Sequence, residues 1–127
     1  MADLRPHAQA ELYPCAVAFA RRVPPNSMIV ASGGYCFEQA GKPTAYNASY
    51  MFYWMDRKGF NVCHEEQSLG TLRSLSARGA HYFVAERKAL AVAPLGEFEA
   101  ELRRRFRLVD SCDQALLFDL TMPPSVD

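Results

Sequence analysis

Short apolar runs that alternate with helical segments constrain the fold of this chain more than any other feature. The clearest runs cover residues 28–31, 80–85 and 115–118, and each is almost wholly apolar. A strand with one face in water carries alternating polar residues, so these runs predict strands that are buried on both faces. Strands of this kind need helices on both sides of their sheet.

A leading helix is predicted by apolar residues at helical spacing, among them Leu12, Cys15 and Phe19. Pro14 lies inside this pattern, so it predicts either a kink or the true start of the helix. The two prolines at positions 24 and 25 then end the helix before the first strand.

Three further helices are predicted along the chain. Residues 50–55 form the first, which runs into a charged triplet and is broken by Gly59 before a second strand. Ser68 and Gly79 are placed to cap the start and the end of the next helix. The last one begins near Pro94, because proline suits the first position of a helix.

The order of these elements predicts a single α/β domain over residues 1–127. Two closing strands, at residues 108–109 and 115–118, are joined too closely for a crossover, so they should be antiparallel. We therefore expect a three-layer α/β/α sandwich, Rossmann-like, with a mostly parallel sheet of about five strands and one antiparallel edge strand. Asp119 should face outward from that edge.

Composition excludes several classes of function. Fourteen basic residues balance fourteen acidic ones, so no overall field attracts nucleic acid. No apolar run approaches the roughly 20 residues that cross a bilayer, and the chain itself is expected to be soluble. The four cysteines form no CxxC pair, which argues against a zinc site, although one disulfide is compatible with an extracytoplasmic location. We predict no metal and no cofactor.

Gly33 and Gly34 form the first candidate for a ligand site. They follow a predicted parallel strand at its carboxyl end, where ligands of such sheets bind and free amides can hold an anion. Neither GxGxxG nor GxxxxGK[ST] is present, and a plain tight turn explains the two glycines more simply.

The segment around residues 50–60 supplies further candidates. Arg57 and Lys58 can grip a phosphate or carboxylate, or can neutralise the negative end of the preceding helix. Tyr53 belongs to an aromatic group that either packs in the core or forms a partner surface. His64, next to two glutamates after the second strand, is the best single titratable candidate.

A basic cluster covers residues 103–107, with arginine at every position except 106. It either complements the carboxyl end of its helix or attracts anionic lipid headgroups. No nucleophile is paired with a base and no GxSxG motif is present, so we assign no catalytic residue.

Three segments of the sequence resemble the soluble C-terminal domain of one group of membrane glycosyltransferases, the dolichyl-phosphate-mannose protein mannosyltransferases and lipid A aminoarabinose transferases. They are the stretch from Val23 to Val30, the tyrosine-rich stretch that ends in Arg57-Lys58-Gly59-Phe60, and the stretch from Leu72 to Val84. A fourth short match covers residues 116–120. The sequence departs from the family in its long loop over residues 33–47.

The resemblance implies that the chain is a non-catalytic accessory domain, cut from a longer membrane protein, on the periplasmic or outer face of the inner membrane. Its implied partners are the transmembrane part of the same protein, a polyprenyl-phosphate sugar or glycan acceptor, and anionic lipid headgroups. The parent would be the glycosyltransferase, and its catalytic residues would lie in the transmembrane part.

The alternative is a free-standing soluble α/β protein. It would bind a small anionic ligand, such as a nucleotide or sugar phosphate, at the Gly33–Gly34 end of the sheet with help from Arg57 and His64.

Overall fold

Helices and strands alternate along the chain, as the apolar runs predict. The computed structural model describes residues 8–32, 52, 54–62, 67–91 and 96–124. The elements in chain order are α1 (Ala8–Ala20), β1 (Met28–Ser32), β2 (Gly59–Val62), α2 (Leu69–Ala77), β3 (Ala80–Glu86), α3 (Arg87–Leu90), α4 (Gly96–Arg105), β4 (Arg107–Ser111) and β5 (Ala115–Asp119). Phe52, Trp54 and Met55 are also helical. The predicted loop over residues 33–47 and Pro94 lie outside the described residues.

The described strands form one mixed sheet that is mostly parallel. Its strand order is β2-β1-β3-β5-β4. The strand β1 pairs in parallel with both β2 and β3, whereas β5 is antiparallel to β3 and to β4. The α/β class and the mostly parallel sheet are therefore confirmed.

The predicted position of the antiparallel strand is wrong. The antiparallel strand β5 lies inside the sheet, and the edges are β2 and β4. The reason is burial: residues 115–118 are fully buried, whereas β4 is exposed or half-exposed throughout. The hairpin therefore docks through its more apolar strand. Asp119, predicted to face outward from an edge, lies at the end of this interior strand.

The strands bury side chains in two separate clusters, and neighbouring residues of one strand alternate between them. Ile29 and Ala31 belong to the first cluster and Val30 to the second. On β5 the same alternation places Leu117 in the first and Leu116 in the second. The helix α1 contributes to the first cluster, and α2 and α4 contribute to the second. This alternation explains why the strand sequences are continuously apolar.

The helix boundaries follow from capping chemistry. Pro14 lies within α1, so the helix does not start there. Ser68 is the N-cap of α2, and its hydroxyl oxygen accepts a hydrogen bond of 3.0 Å from the backbone N–H of Thr71. Gly79 has a φ of 112° immediately after this helix, a conformation that favours glycine. The predicted caps of α2 are confirmed.

The helical segment that contains Phe52 ends at Met55, as predicted, but the residue that breaks it is Asp56 and not Gly59. Asp56 has a φ of 56°, the left-handed conformation that ends many helices and that aspartate tolerates better than most residues. Gly59 instead begins β2, where a Cβ atom would overlap the carbonyl group of Ile29. The glycine is therefore required by the close approach of two strands.

A disulfide between Cys15 and Cys112 joins α1 to the turn between β4 and β5. The two Cα atoms are 5.8 Å apart, which is the usual separation for this bond. It closes a loop across a sequence separation of 97 residues and thereby links the two ends of the domain.

A candidate anion-binding site

The predicted ligand-binding residues fall into two groups. Gly33, Gly34, Tyr53 and His64 lie outside the described residues. Arg57 and Lys58 are described, and they lie immediately before β2. The ligand-binding role given to each of them stays a prediction.

Parallel pairing separates Arg57 from the carboxyl end of the first strand. Gly59, at the start of β2, is the register partner of Ile29, and Val62, at the end of β2, is the partner of Ser32. Arg57 precedes β2 and therefore lies at the amino-terminal end of these strands, whereas Ser32 lies at their carboxyl end. The length of β2 thus separates Arg57 from the end of β1 at which the alternative function would bind its ligand.

The Arg57 guanidinium group binds backbone carbonyls. Its Nη1 atom donates to Met55 O at 2.7 Å and to Asp56 O at 3.0 Å, and its Nη2 atom donates to Ala20 O at 3.0 Å and to Val23 O at 2.7 Å. These acceptors belong to the carboxyl ends of two helical segments and to the turn after α1. The geometry therefore favours the structural alternative for Arg57 and leaves the exposed Lys58 as the freer cation beside it.

Ser32 also has a structural place. Its hydroxyl oxygen accepts a 3.1 Å hydrogen bond from Glu86 N, and the hydroxyl donates to Val84 O at 3.5 Å. The side chain is only 1% exposed. Ser32 thus fastens the end of β1 to β3.

A different cavity gathers cationic side chains. It has a volume of about 480 Å³ and is lined by Arg21, Arg22, Tyr82, Arg107, Leu108, Val109 and Asp119. We call it the arginine pocket. None of its residues was singled out as a ligand site from the sequence, although Arg107 belongs to the basic cluster for which attraction to lipid headgroups was one of two interpretations.

Sheet register builds the floor of the arginine pocket. Asp119 on β5 is the partner of Tyr82 on β3 and of Arg107 on β4. Directly opposed residues of antiparallel strands project from the same face and lie about 5 Å apart. These three side chains therefore form one row across three strands. Arg21 and Arg22 reach the same cavity from the turn that follows α1.

Two of the three pocket arginines make no ion pair with a described residue. Arg22 donates to Val109 O at 3.2 Å, and its Nε atom lies 3.9 Å from Asp110 Oδ2. This long, exposed ion pair neutralises Arg22 only weakly. The guanidinium groups of Arg21 and Arg107 make no hydrogen bond or ion pair within the part of the chain that the structure describes. Both side chains are exposed.

Asp119 and Tyr82 complete the polar lining. Asp119 Oδ1 accepts hydrogen bonds from Thr121 N at 2.8 Å and from Thr121 Oγ1 at 2.6 Å, which fixes the carboxylate at the end of β5. Burial raises the pKa of Tyr82 above its ordinary value, and the negative charge of Asp119 raises this pKa further. Since the ordinary tyrosine pKa is about 10, the Tyr82 hydroxyl is protonated at neutral pH and available as a donor.

This arrangement suits a small anion. Arginine guanidinium groups bind phosphate and carboxylate oxygens through parallel N–H donors, and such charge-assisted hydrogen bonds are stronger than neutral ones. Three arginines against the carboxylates of Asp119 and Asp110 leave one positive charge at the arginine pocket. The pocket holds donors, charge and space, and its described lining contains no nucleophile paired with a base.

Sequence reasoning missed this site because its parts are dispersed. Arg21 and Arg22 directly follow α1, where positive charge complements a helix end, and Arg107 was assigned to a basic cluster over residues 103–107. The structure divides that cluster: Arg103 forms an ion pair of 3.0 Å with Glu99 on α4, while Arg107 begins β4 and lines the pocket. The only available signal was the break between helix and strand at Phe106.

The described residues contain neither a membrane-spanning helix nor a cluster of metal ligands. None of the described helices has the length and apolarity that a bilayer crossing requires. Residues 8–32, 52, 54–62, 67–91 and 96–124 contain no group of three or more histidine, cysteine, aspartate or glutamate side chains placed to hold a metal ion. In comparisons with protein-family models, curated proteins and solved structures, no match to this chain was found.

Proposed function

We propose that this chain is a non-catalytic recognition domain that binds a phosphate group in the arginine pocket. The observation that carries the proposal is the convergence of Arg21, Arg22 and Arg107, from two distant segments, on one cavity in which two of the three have no partner among the described residues. Exposed cations without partners repel one another, so an anionic ligand stabilises the arrangement.

The parent protein in this proposal is a membrane glycosyltransferase that uses a polyprenyl-phosphate sugar. The support is the resemblance of the segments around Val23, Arg57 and Gly79 to the soluble domains of that group. Within such a protein, the arginine pocket would contact the phosphate of a lipid headgroup or of the acceptor, and the transmembrane part would carry the chemistry.

An extracytoplasmic location is part of the same proposal. Disulfides persist in oxidising compartments and are rare in the cytosol. The bond between Cys15 and Cys112 therefore supports the periplasmic or outer face of the inner membrane.

A three-layer α/β/α, Rossmann-like sandwich is the finer fold that we propose. Its support is the division of the core into two clusters, of which one contains side chains of α1 and the other contains side chains of α2 and α4.

Vesicle flotation tests the phosphate-binding function. The double variant Arg21→Gln/Arg107→Gln should bind vesicles that contain phosphatidylglycerol about tenfold or more weakly than the unmodified chain does, because it loses two guanidinium donors. The control is Arg73→Gln/Arg104→Gln, which removes the same charge from exposed positions on α2 and α4. Equal losses in both variants would show that binding depends on net charge alone.

The open reading frame tests the parent protein. A longer reading frame with many transmembrane helices ahead of residue 1 is expected. A frame that encodes little more than these residues would favour the free-standing anion-binding protein.

A further inference from the structure

We propose that Asp119 makes the arginine pocket selective for a phosphate group that carries a hydroxyl or ammonium donor beside it. This inference rests on the proposed function, because it concerns the ligand of the same pocket. Its starting point is a carboxylate placed among three arginines without an ion pair to any of them in the described residues. The negative charge of this carboxylate would weaken the binding of a phosphate that carries no donor.

The position of Asp119 in the row decides what it can reach. It stands between Arg107 and Tyr82 on neighbouring strands, and both lie about 5 Å from it across the sheet. In the proposed complex, a phosphate bound by Arg107 directs its substituent toward the carboxylate, so that a donor on the first or second atom of the substituent comes within hydrogen-bond reach of Asp119.

The two oxygens of Asp119 have different roles. Oδ1 is bound by the backbone and the hydroxyl of Thr121. Oδ2 makes no hydrogen bond or ion pair with any described residue. An ionised carboxylate only accepts hydrogen bonds, so Oδ2 can bind a hydroxyl or ammonium group and repels a second anionic oxygen.

Tyr82 acts as a donor in the pocket, whereas Asp119 is the acceptor. The Tyr82 hydroxyl is protonated at neutral pH, since the ordinary tyrosine pKa is about 10, and burial and the Asp119 charge raise this pKa further. A protonated phenol can donate to a phosphate oxygen in the same pocket. The lining thus offers donors to the phosphate and one ionised acceptor to its substituent.

Calorimetry of the full 127-residue chain tests the inference with two ligands of nearly equal size. Ethyl phosphate has no donor on its substituent, and phosphoethanolamine has an ammonium group at that place. We expect about tenfold tighter binding of phosphoethanolamine, which is the effect of one charge-assisted hydrogen bond. The variant Asp119→Asn should lose this preference and should bind ethyl phosphate at least as tightly as the unmodified chain, because a negative charge has left the pocket.

Two controls separate selectivity from folding. An asparagine at position 119 keeps the Oδ1 acceptor for Thr121. The variant Thr121→Val removes only the 2.6 Å hydroxyl hydrogen bond, so it should keep the preference for phosphoethanolamine. Loss of the preference in both variants, or weaker binding of both ligands to Asp119→Asn, would overturn the inference and assign Asp119 to the turn alone.

Vesicles identify the source of the ligand. Phosphatidylglycerol carries hydroxyl donors beside its phosphate, and phosphatidylmethanol does not. A preference for phosphatidylglycerol over phosphatidylmethanol supports the inference with a lipid headgroup as the ligand. A preference for phosphoethanolamine over ethyl phosphate without a preference between the lipids supports it with a free phosphate as the ligand. Equal binding within both pairs overturns only the inference. An unmodified chain that binds no phosphate in either form overturns the proposed function as well.

Discussion

Asp56 and Arg57 show how two adjacent residues can end a helix and fasten it to another one. Asp56 adopts the left-handed conformation with a φ of 56°, and the chain then turns away from the helix axis. Arg57 follows, and its guanidinium group binds the carbonyl of Met55 at the end of its own helical segment and that of Ala20 at the end of α1. The carbonyls that a helix end leaves without partners are thereby satisfied by one side chain.

Replacing Arg57 should cost more stability than any other exchange of an arginine for a lysine in the described residues. In Arg57→Lys, a single ammonium group cannot reach the acceptors Met55 O, Ala20 O and Val23 O together. We expect the free energy of unfolding to fall by about 2–4 kcal/mol, measured by urea denaturation. Lys58→Gln, at the exposed neighbour, should change it by less than about 0.5 kcal/mol. A small loss in Arg57→Lys would mean that the guanidinium hydrogen bonds contribute little.

Tyr82 should make the domain less stable in alkali. Its pKa is raised in the folded state, so the unfolded chain releases this proton at a lower pH. The contribution is complete below the ordinary tyrosine pKa of about 10 and is lost as the pH rises through the folded value. Urea denaturation at pH 8 and pH 10.5 should show a smaller loss for Tyr82→Phe than for the unmodified chain. Asp119→Asn should show an intermediate loss, because it removes only the second cause. If Tyr82→Phe lost as much stability between pH 8 and pH 10.5 as the unmodified chain does, Tyr82 would not be the source of the alkaline loss.

The strands were the elements that the sequence predicted best. A run such as residues 115–118 is apolar on both faces, and only a strand covered on both sides satisfies that pattern. The order of strands in the sheet was not predictable in the same way, because pairing joins residues that are far apart in the chain. The sequence does show that β5 is more apolar than β4, and this difference explains why β5 and not β4 lies in the interior of the sheet.

Gly59 governs the pairing of β1 with β2. In Gly59→Ala, the added Cβ meets the backbone of Ile29, whose C and N atoms would lie 2.7 and 2.9 Å away. Backbone cannot move as a flexible side chain does, so we expect a loss of about 3 kcal/mol or more, measured as a lower urea midpoint. Gly70→Ala is the matched control: the nearest neighbour of its Cβ is Ser68 Oγ at 3.8 Å, and a helix prefers alanine by about 1 kcal/mol. A milder effect in Gly59→Ala would mean that β2 shifts freely along the sheet edge.

The arginine pocket was beyond sequence reasoning for a physical reason. Arg21 and Arg22 each have a sufficient local explanation at the end of α1, and Arg107 has one in the basic cluster over residues 103–107. Only the antiparallel pairing of β4 with β5, together with the packing of α1 on the same cluster as β5, brings them to one cavity. An arginine that complements a helix end can therefore also line a ligand pocket.

The disulfide is the feature that connects the whole molecule. Cys15 lies on α1, which leads to Arg21 and Arg22, and Cys112 follows β4, which carries Arg107. The bond thus joins the two segments that supply the arginines of the pocket. It also closes a loop in the unfolded chain, with a sequence separation of 97 residues in a chain of 127.

Removing the disulfide should lower both the stability and the ligand affinity of the domain. In Cys15→Ala/Cys112→Ala, the unfolded chain regains loop entropy, which for a loop of about 100 residues is worth about 4–5 kcal/mol and in measured cases about 2–5 kcal/mol. The melting temperature should fall accordingly, and binding of phosphoethanolamine should weaken because α1 is no longer fixed to the β4–β5 turn. Dithiothreitol should lower the melting temperature of the unmodified chain to that of the variant and should leave the melting temperature of the variant unchanged. A melting temperature of the unmodified chain that is insensitive to the reductant would contradict both the role of the bond and the extracytoplasmic location that it supports.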